Sequence, residues 1–155
     1  KYDLFYDETR RILDDLRKRY GRFVVLDLHT YNHRRMGPDA GHADPFTNPE
    51  VNIGTGSLDR EQWHPLVDRF MTDLASFDFL GRTLDVRENV RFRGGVLSNW
   101  IHQNYPDSGC CLAIELKKFF MDEWTGEMSL EEHQALLQAL VSTKDGISET
   151  LEILA

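Results

Sequence analysis

The residues best suited to chemistry in this chain stand at the ends of two apolar runs. The first, "VVLDLH", carries Asp27 and His29 among Val24, Val25, Leu26 and Leu28. The second, "LAIELKK", leads from Leu112, Ala113 and Ile114 into Glu115. A neutral imidazole is the commonest metal ligand, and a neighbouring carboxylate fixes which ring nitrogen keeps the proton. A carboxylate in an apolar strand has its pKa raised unless a cation pairs with it, which suits it to taking and giving protons. A histidine on a metal, with a glutamate to handle the proton of an activated water, is the equipment of metal-assisted hydrolysis. Taken singly, His29 also reads as a hydrogen-bonded histidine under a loop, and Glu115 as half of a buried ion pair.

For these side chains to meet, both runs must be strands of one sheet. Alternate residues of a strand share a face, so Asp27 and His29 project together. Open α/β sheets gather ligands at the carboxyl ends of their strands, which is where His29 falls. Around these strands, Tyr2–Tyr20 places Leu4, Phe5, Ile12, Leu13, Leu16 and Tyr20 at helical spacing, predicting an amphipathic helix ended by Gly21. Phe23–Leu28 is nearly all apolar, the pattern of a strand covered on both faces. The Gly-, Pro-, Asn- and Asp-rich stretch from Asn32 to Ser57 predicts a long functional loop. Leu58–Ser76 predicts a helix capped by Asp59, with Trp63, Leu66, Val67, Phe70 and Leu74 on one stripe. The β-branched "TLDVRENVRFRGG" stops at Gly94 and Gly95. A short helix over Leu97–Tyr105, a buried strand over Cys111–Leu116, and helices over Ser129–Val141 and Asp145–Leu154 complete the pattern. Ser129 and Glu132 have the spacing of a capping box. This order predicts a layered α/β fold, read as a single domain over residues 1–155.

The net charge is -8, from 18 basic and 26 acidic residues. That argues against nucleic acid or an anionic membrane as the main partner, while a local arginine cluster can still receive a small anion. No apolar run approaches the roughly 20 residues of a membrane helix, and the charged start "KYDLFYDETRR" does not read as a leader. The only cysteines, Cys110 and Cys111, are adjacent. They read as buried thiols of a reducing compartment, giving the cytoplasm as the expected location. Of the other histidines, His33 is a candidate for supporting the site or the substrate. His42 reads as a solvated loop residue, and His64 and His133 as structural or exposed. Asp122 and Glu123 read as anchors of the turn after the second strand.

Five segments in order carry a resemblance. "YDLFYDETRRIL" looks like the helix before a histidine strand, and "LDLHTY" like a D-x-H-S/T strand end. "NPEVNIGTGS" is similar to a PD-x-x-L-G-T loop, "RFRGGVL" to an RFKGGY segment, and "LAIELKKFFMDE" to a Q-x-E strand running into YMDE. Together they resemble the N-formylglutamate amidohydrolase family, from about Tyr2 to Glu123. The resemblance implies a zinc-carboxypeptidase-like (phosphorylase/hydrolase-like) fold, layered α/β/α on a mostly buried mixed sheet. It implies zinc as cofactor with His29 as a ligand, Glu115 as general base and acid, and a small carboxylate-bearing amide such as N-formylglutamate as substrate. Arg93, and Arg34 or Arg35, are the candidates for that carboxylate, because a guanidinium binds it bidentately. Asn52, with Thr55, is a candidate for fixing a loop over the site. "GGVLSNWIHQNY" has Asn99 and Trp100 where relatives carry an Arg-His pair, and His102 follows as a candidate substitute. The family's remaining metal ligands, a histidine closely followed by an acidic residue, come from an earlier loop, and no such motif precedes His29. Those ligands are expected upstream of Lys1. The chain then reads as the C-terminal part of a longer amidohydrolase domain, incomplete at its N-terminus, with Lys1 opening a helix rather than a first strand. The alternatives are a carboxypeptidase-like metallopeptidase and a non-catalytic ligand-binding module.

Overall fold

The computed structural model of the chain describes residues 1–154. Helix α1 spans Tyr2–Tyr20, β1 Phe23–Tyr31, β2 Val51–Gly54, α2 Arg60–Ser76 and β3 Val86–Glu88. They are followed by α3 at Val96–Asn104, β4 at Gly109–Lys117, a 3-10 turn at Lys118–Phe120, α4 at Leu130–Ser142 and α5 at Lys144–Leu154. The strands form one four-stranded mixed sheet in the order β1-β4-β2-β3. β1 runs parallel to β4, β2 antiparallel to β4, and β3 parallel to β2.

Alternation along β4 divides the core. Cys110, Leu112, Ile114 and Leu116 join Val51, Ile53, Trp63, Phe70 and Leu136 in the larger cluster, under α2, α4 and α5. Cys111 faces the other way, into a smaller cluster with Leu13, Phe23, Ile101 and Tyr105 from the α1 and α3 side. The result is the expected α/β/α layering on a mixed sheet.

The ends of the helices follow their sequence signals. Lys1 stands at the N-cap of α1, as the sequence pattern places it, but its side chain makes no capping hydrogen bond. A lysine ammonium has no acceptor atom to offer the free N–H groups of a helix start. Gly21 takes a positive φ of 78°, which glycine adopts without steric cost, and its N–H donates to Arg17 O at 2.9 Å. Asp59 Oδ1 accepts from the backbone N–H groups of Glu61 and Gln62, each at 3.1 Å. Asp59→Ala should therefore cost about 1 kcal/mol of stability, a fall of roughly 2–4 °C in Tm for a domain of this size. Thermal unfolding of the variant checks this, and an unchanged Tm would refute the capping role. Only the Ser129 half of the capping box forms, its Oγ accepting from Glu132 N at 3.3 Å.

Two expectations about the elements are corrected. β1 is not covered on both faces: it lies at one edge of the sheet, and Leu26 and Leu28 are 36% and 54% exposed. The deeply buried strands are β4 and β2, each with a neighbour on both sides. The stretch Asn32–Ser57 is not loop throughout, since it contains β2, buried along its whole length. The signal was obscured by Asn52, whose fully buried amide is satisfied by other backbone groups and so behaves as a core residue. No helix among the described residues is long and apolar enough to cross a membrane.

Candidate active site

The register of β1 against β4 brings the two strand-end groups together. His29 lies opposite Glu115, and Asp27 opposite Ala113. Neighbouring strands run about 4.8 Å apart, so all four residues form one patch on a single face. This is the α1 and α3 side of the sheet, shared with Cys111. A cleft of about 630 Å³ opens above the patch. Its floor is Asp27, His29, Ala113 and Glu115; its walls are Phe5 and Tyr6 of α1 and the segment Arg91–Leu97.

Within the cleft, His29 Nε2 lies 2.8 Å from Asp27 Oδ1. That contact favours the tautomer protonated at Nε2 and leaves Nδ1 with its lone pair. Glu115 is partly buried, and no cation pairs with it among the described residues. Loss of solvent raises its pKa above the ordinary glutamate value; His29 opposes the shift and Asp27 adds to it. A carboxylate so placed holds a proton more readily than a solvated one, as a general base and acid requires.

The arginine wall is set by the close approach of two backbones. Gly56 N donates to Arg93 O at 2.7 Å. A Cβ added at Gly54 would stand 2.5 Å from Gly94 N and 2.8 Å from Arg93 C. Glycine is thus required where "NIGTGS" passes under "RFRGG". Asn52 fastens the same wall: Oδ1 accepts from Arg91 N at 2.8 Å, and Nδ2 donates to Phe92 O at 2.8 Å. Thr55 accepts from the Asn89 amide at 2.8 Å and donates to Glu88. Asn52 and Thr55 hold the segment that lines the cleft; neither residue lines it.

The other candidates are distributed unevenly. Arg93 is exposed and lines the cleft. Arg35 lines a neighbouring recess instead. Arg34 lines neither, because its guanidinium is engaged by Asp122 at 2.9 Å, by Ala40 O at 3.3 Å and by Pro38 O. His102 sits behind the cleft: Cys111 N donates to its Nε2 at 3.0 Å, so the proton is on Nδ1, directed at Ser57 Oγ 2.8 Å away. Desolvation lowers its pKa, and both nitrogens are occupied. Asp122 Oδ1 accepts from Trp124 N and Thr125 N, and Glu123 Oε1 from the backbone of His33 and Arg34, so this pair ties the turn after β4 to the loop after β1. His64 Nδ1 donates to Glu61 O at 2.8 Å, and His133 is exposed.

Arg91 and Phe92 belong to the cleft wall without having been singled out. The signal was the same parity of Arg91 and Arg93 around Phe92 in an extended segment. A tetrahedral zinc site takes at least three protein donors. His29 is one suitable donor, but the described residues contain no group of three or more His, Cys, Asp or Glu that could hold a metal. By themselves they do not fit zinc. Lys1 is exposed and lines a separate groove with Leu4, Phe5 and Glu8, not the cleft. It is no ligand itself, since an ammonium carries no lone pair.

The model of the N-formylglutamate amidohydrolase family matches residues 2–121. The crystal structure of N-formylglutamate amidohydrolase from Ralstonia eutropha superposes with a TM-score of 0.72 at 18% identity, covering 99% of this chain and 52% of that one. A gene product of Agrobacterium tumefaciens superposes with a TM-score of 0.56 at 17% identity, over 96% of this chain and 51% of its own. At such identities the likeness speaks for the fold, and the chain spans about half the length of these solved structures. No curated protein matches the sequence. The family match covers most of the chain, including both strands of the cleft floor and the arginine segment, and the chain belongs to the N-formylglutamate amidohydrolase family.

Proposed function

We propose that this chain carries the proton-transfer and substrate-binding side of an amidohydrolase that cleaves an N-acyl or N-formyl amino acid such as N-formylglutamate. The observation that carries this reading is the pairing of His29 with Glu115 on the floor of one cleft whose wall bears Arg91 and Arg93. Glu115 takes a proton from the attacking water and passes it to the departing amine. Arg93, which has no ion-pair partner among the described residues, neutralises the substrate carboxylate. Asp27 holds the His29 ring so that Nδ1 keeps its lone pair. Zinc, if bound, would supply Lewis acidity; His29 is the one donor offered at the cleft floor by the described residues, and such a site would need further donors beyond them. The acidic composition and the buried free thiols fit a small-molecule enzyme of the cytoplasm.

The test is release of formate and glutamate from N-formylglutamate by the purified full-length protein, with and without added zinc, beside metal analysis. Hydrolysis above the background of a Glu115→Gln variant supports the reading. The alternative is a non-catalytic binding module. Binding of N-formylglutamate by the full-length protein without turnover under either condition would establish it.

Asp27→Ala should lower turnover by about 10–100-fold, the usual cost of losing a group that orients a metal-binding histidine. Nitrogen NMR of His29 gives a second readout. A tautomer unchanged in the variant would exclude the orienting role whatever the activity.

A further inference from the structure

The loop after β1 builds a second recess, of about 340 Å³, beside the cleft. His33, Arg35, His42, Asn48 and Arg91 line it, and no carboxylate does. The surrounding chain has a net charge of -8, so a wall of two guanidiniums and two imidazoles is a local reversal of sign. His33 is only 7% exposed, and its Nδ1 has no hydrogen-bond partner. The Nε of Arg91 is likewise buried without a partner. Buried polar atoms are nearly always paired, so each orphan asks for an explanation, and a missing ligand is one.

The rest of the wall is arranged for the same kind of guest. The ring of His42 stacks on His33 with centroids 5.2 Å apart and planes 13° from parallel. Stacked rings do not converge their nitrogens on one point, which is the wrong arrangement for a metal. Neither Arg35 nor Arg91 forms an ion pair among the described residues, whereas Arg34 next door is paired with Asp122. Arg91 is held in place by Asn48, to whose Oδ1 it donates through Nη1 at 2.7 Å. Glu123, whose charge acts on His33, is engaged through Oε1 by the His33 and Arg34 backbone, keeps Oε2 buried without a partner, and does not line the recess.

We propose that this recess is an oxyanion-binding subsite, in which Arg35 supplies the charge, His33 an N–H and Arg91 the wall shared with the cleft. Because Arg91 lines both spaces, a ligand in the recess lies next to one held over Glu115. An extended acidic amide would place its far carboxylate there, a point that rests on the hydrolase reading. A free phosphate would use the same donors without it.

Glutarate and inorganic phosphate, titrated separately into the whole chain, separate these sources. Calorimetry gives the affinity, and the ring signals of His33 and His42 report the location. The expected result is that at least one anion moves both rings, and that Arg35→Gln weakens its binding by about tenfold or more, the scale of one lost charge-assisted contact. Arg11→Gln, which removes an exposed guanidinium paired with Glu8 on α1, should leave the binding unchanged. Preference for glutarate assigns the subsite to a substrate carboxylate, and preference for phosphate assigns it to a free anion; either supports the subsite. Binding that persists in a full-length protein unable to hydrolyse any amide would retain the subsite and remove the hydrolase reading. Ring signals unmoved by either anion, or moved equally in Arg35→Gln, would overturn the proposal.

Discussion

Replacing Glu115 by glutamine is expected to lower amide hydrolysis by about 10²–10⁴-fold, the range that positioned proton transfer contributes, and to leave the fold intact. The substitution preserves shape and removes only the capacity to exchange a proton. Its effect on stability has a definite sign. Burial raises the Glu115 pKa above its ordinary value, so the folded chain binds this proton more tightly than the unfolded chain. Stability contributed by this group is therefore greatest at low pH and declines as pH rises from the ordinary glutamate value through the raised one. Glutamine carries no such charge, and the variant should unfold at an equal or higher temperature than the parent near neutral pH. The parent's activity should fall as pH drops through a midpoint above the usual carboxylate value. Turnover near the parent's level in the variant would remove Glu115 from the chemistry. Lost turnover with a lowered Tm would recast it as a structural carboxylate.

The second large effect is expected at Gly54, a residue with no functional group. Gly54→Ala places a Cβ against the backbone of Arg93 and Gly94, at 2.5 Å from Gly94 N. Backbone cannot swing aside like the end of a side chain, so the two segments must separate. The cost should be about 1–3 kcal/mol of stability, the usual scale of overpacking. Because the displaced segment carries Arg91 and Arg93 over the cleft, kcat/KM should drop by about 100-fold, as for a misplacement near 1 Å. Gly41→Ala is the matched control for stability, since nothing lies within 4 Å of its added Cβ. Thermal unfolding of both variants and kinetics of Gly54→Ala decide the point. If Gly54→Ala unfolded like Gly41→Ala and kept the parent's kcat/KM, the close approach would not set the arginine wall.

Much of the floor of the site was legible because strand chemistry is local. "LDLH" and "IEL" each place a polar residue where an apolar run ends, and alternation alone gives their faces. What pattern could not supply was the neighbour relation: that β1 pairs with β4, with His29 against Glu115, depends on contacts between distant segments. The same limit hid the edge position of β1, since its leucines and valines look alike whether or not a helix covers them. It also hid β2, because a buried asparagine is indistinguishable from a loop asparagine until its partners are known. Among the arginines, residue type reveals charge but not engagement. Arg34 and Arg35 are adjacent, yet one is bound to Asp122 and to loop carbonyls while the other lines a recess.

The pairing of β1 with β4 also governs when the cleft comes into being. The strands that carry His29 and Glu115 lie far apart in the chain, and the tie between His33 and Glu123 beside them spans 90 residues. Closing so long a loop spends chain entropy before the parallel ladder returns any, and such non-local pairs form slowly. The intervening β2, α2 and β3 can gain order from nearer contacts first. The floor of the cleft is accordingly expected to form late in folding, since β4 can join β2 and the core under α2 before β1 docks beside it and brings His29 to Glu115.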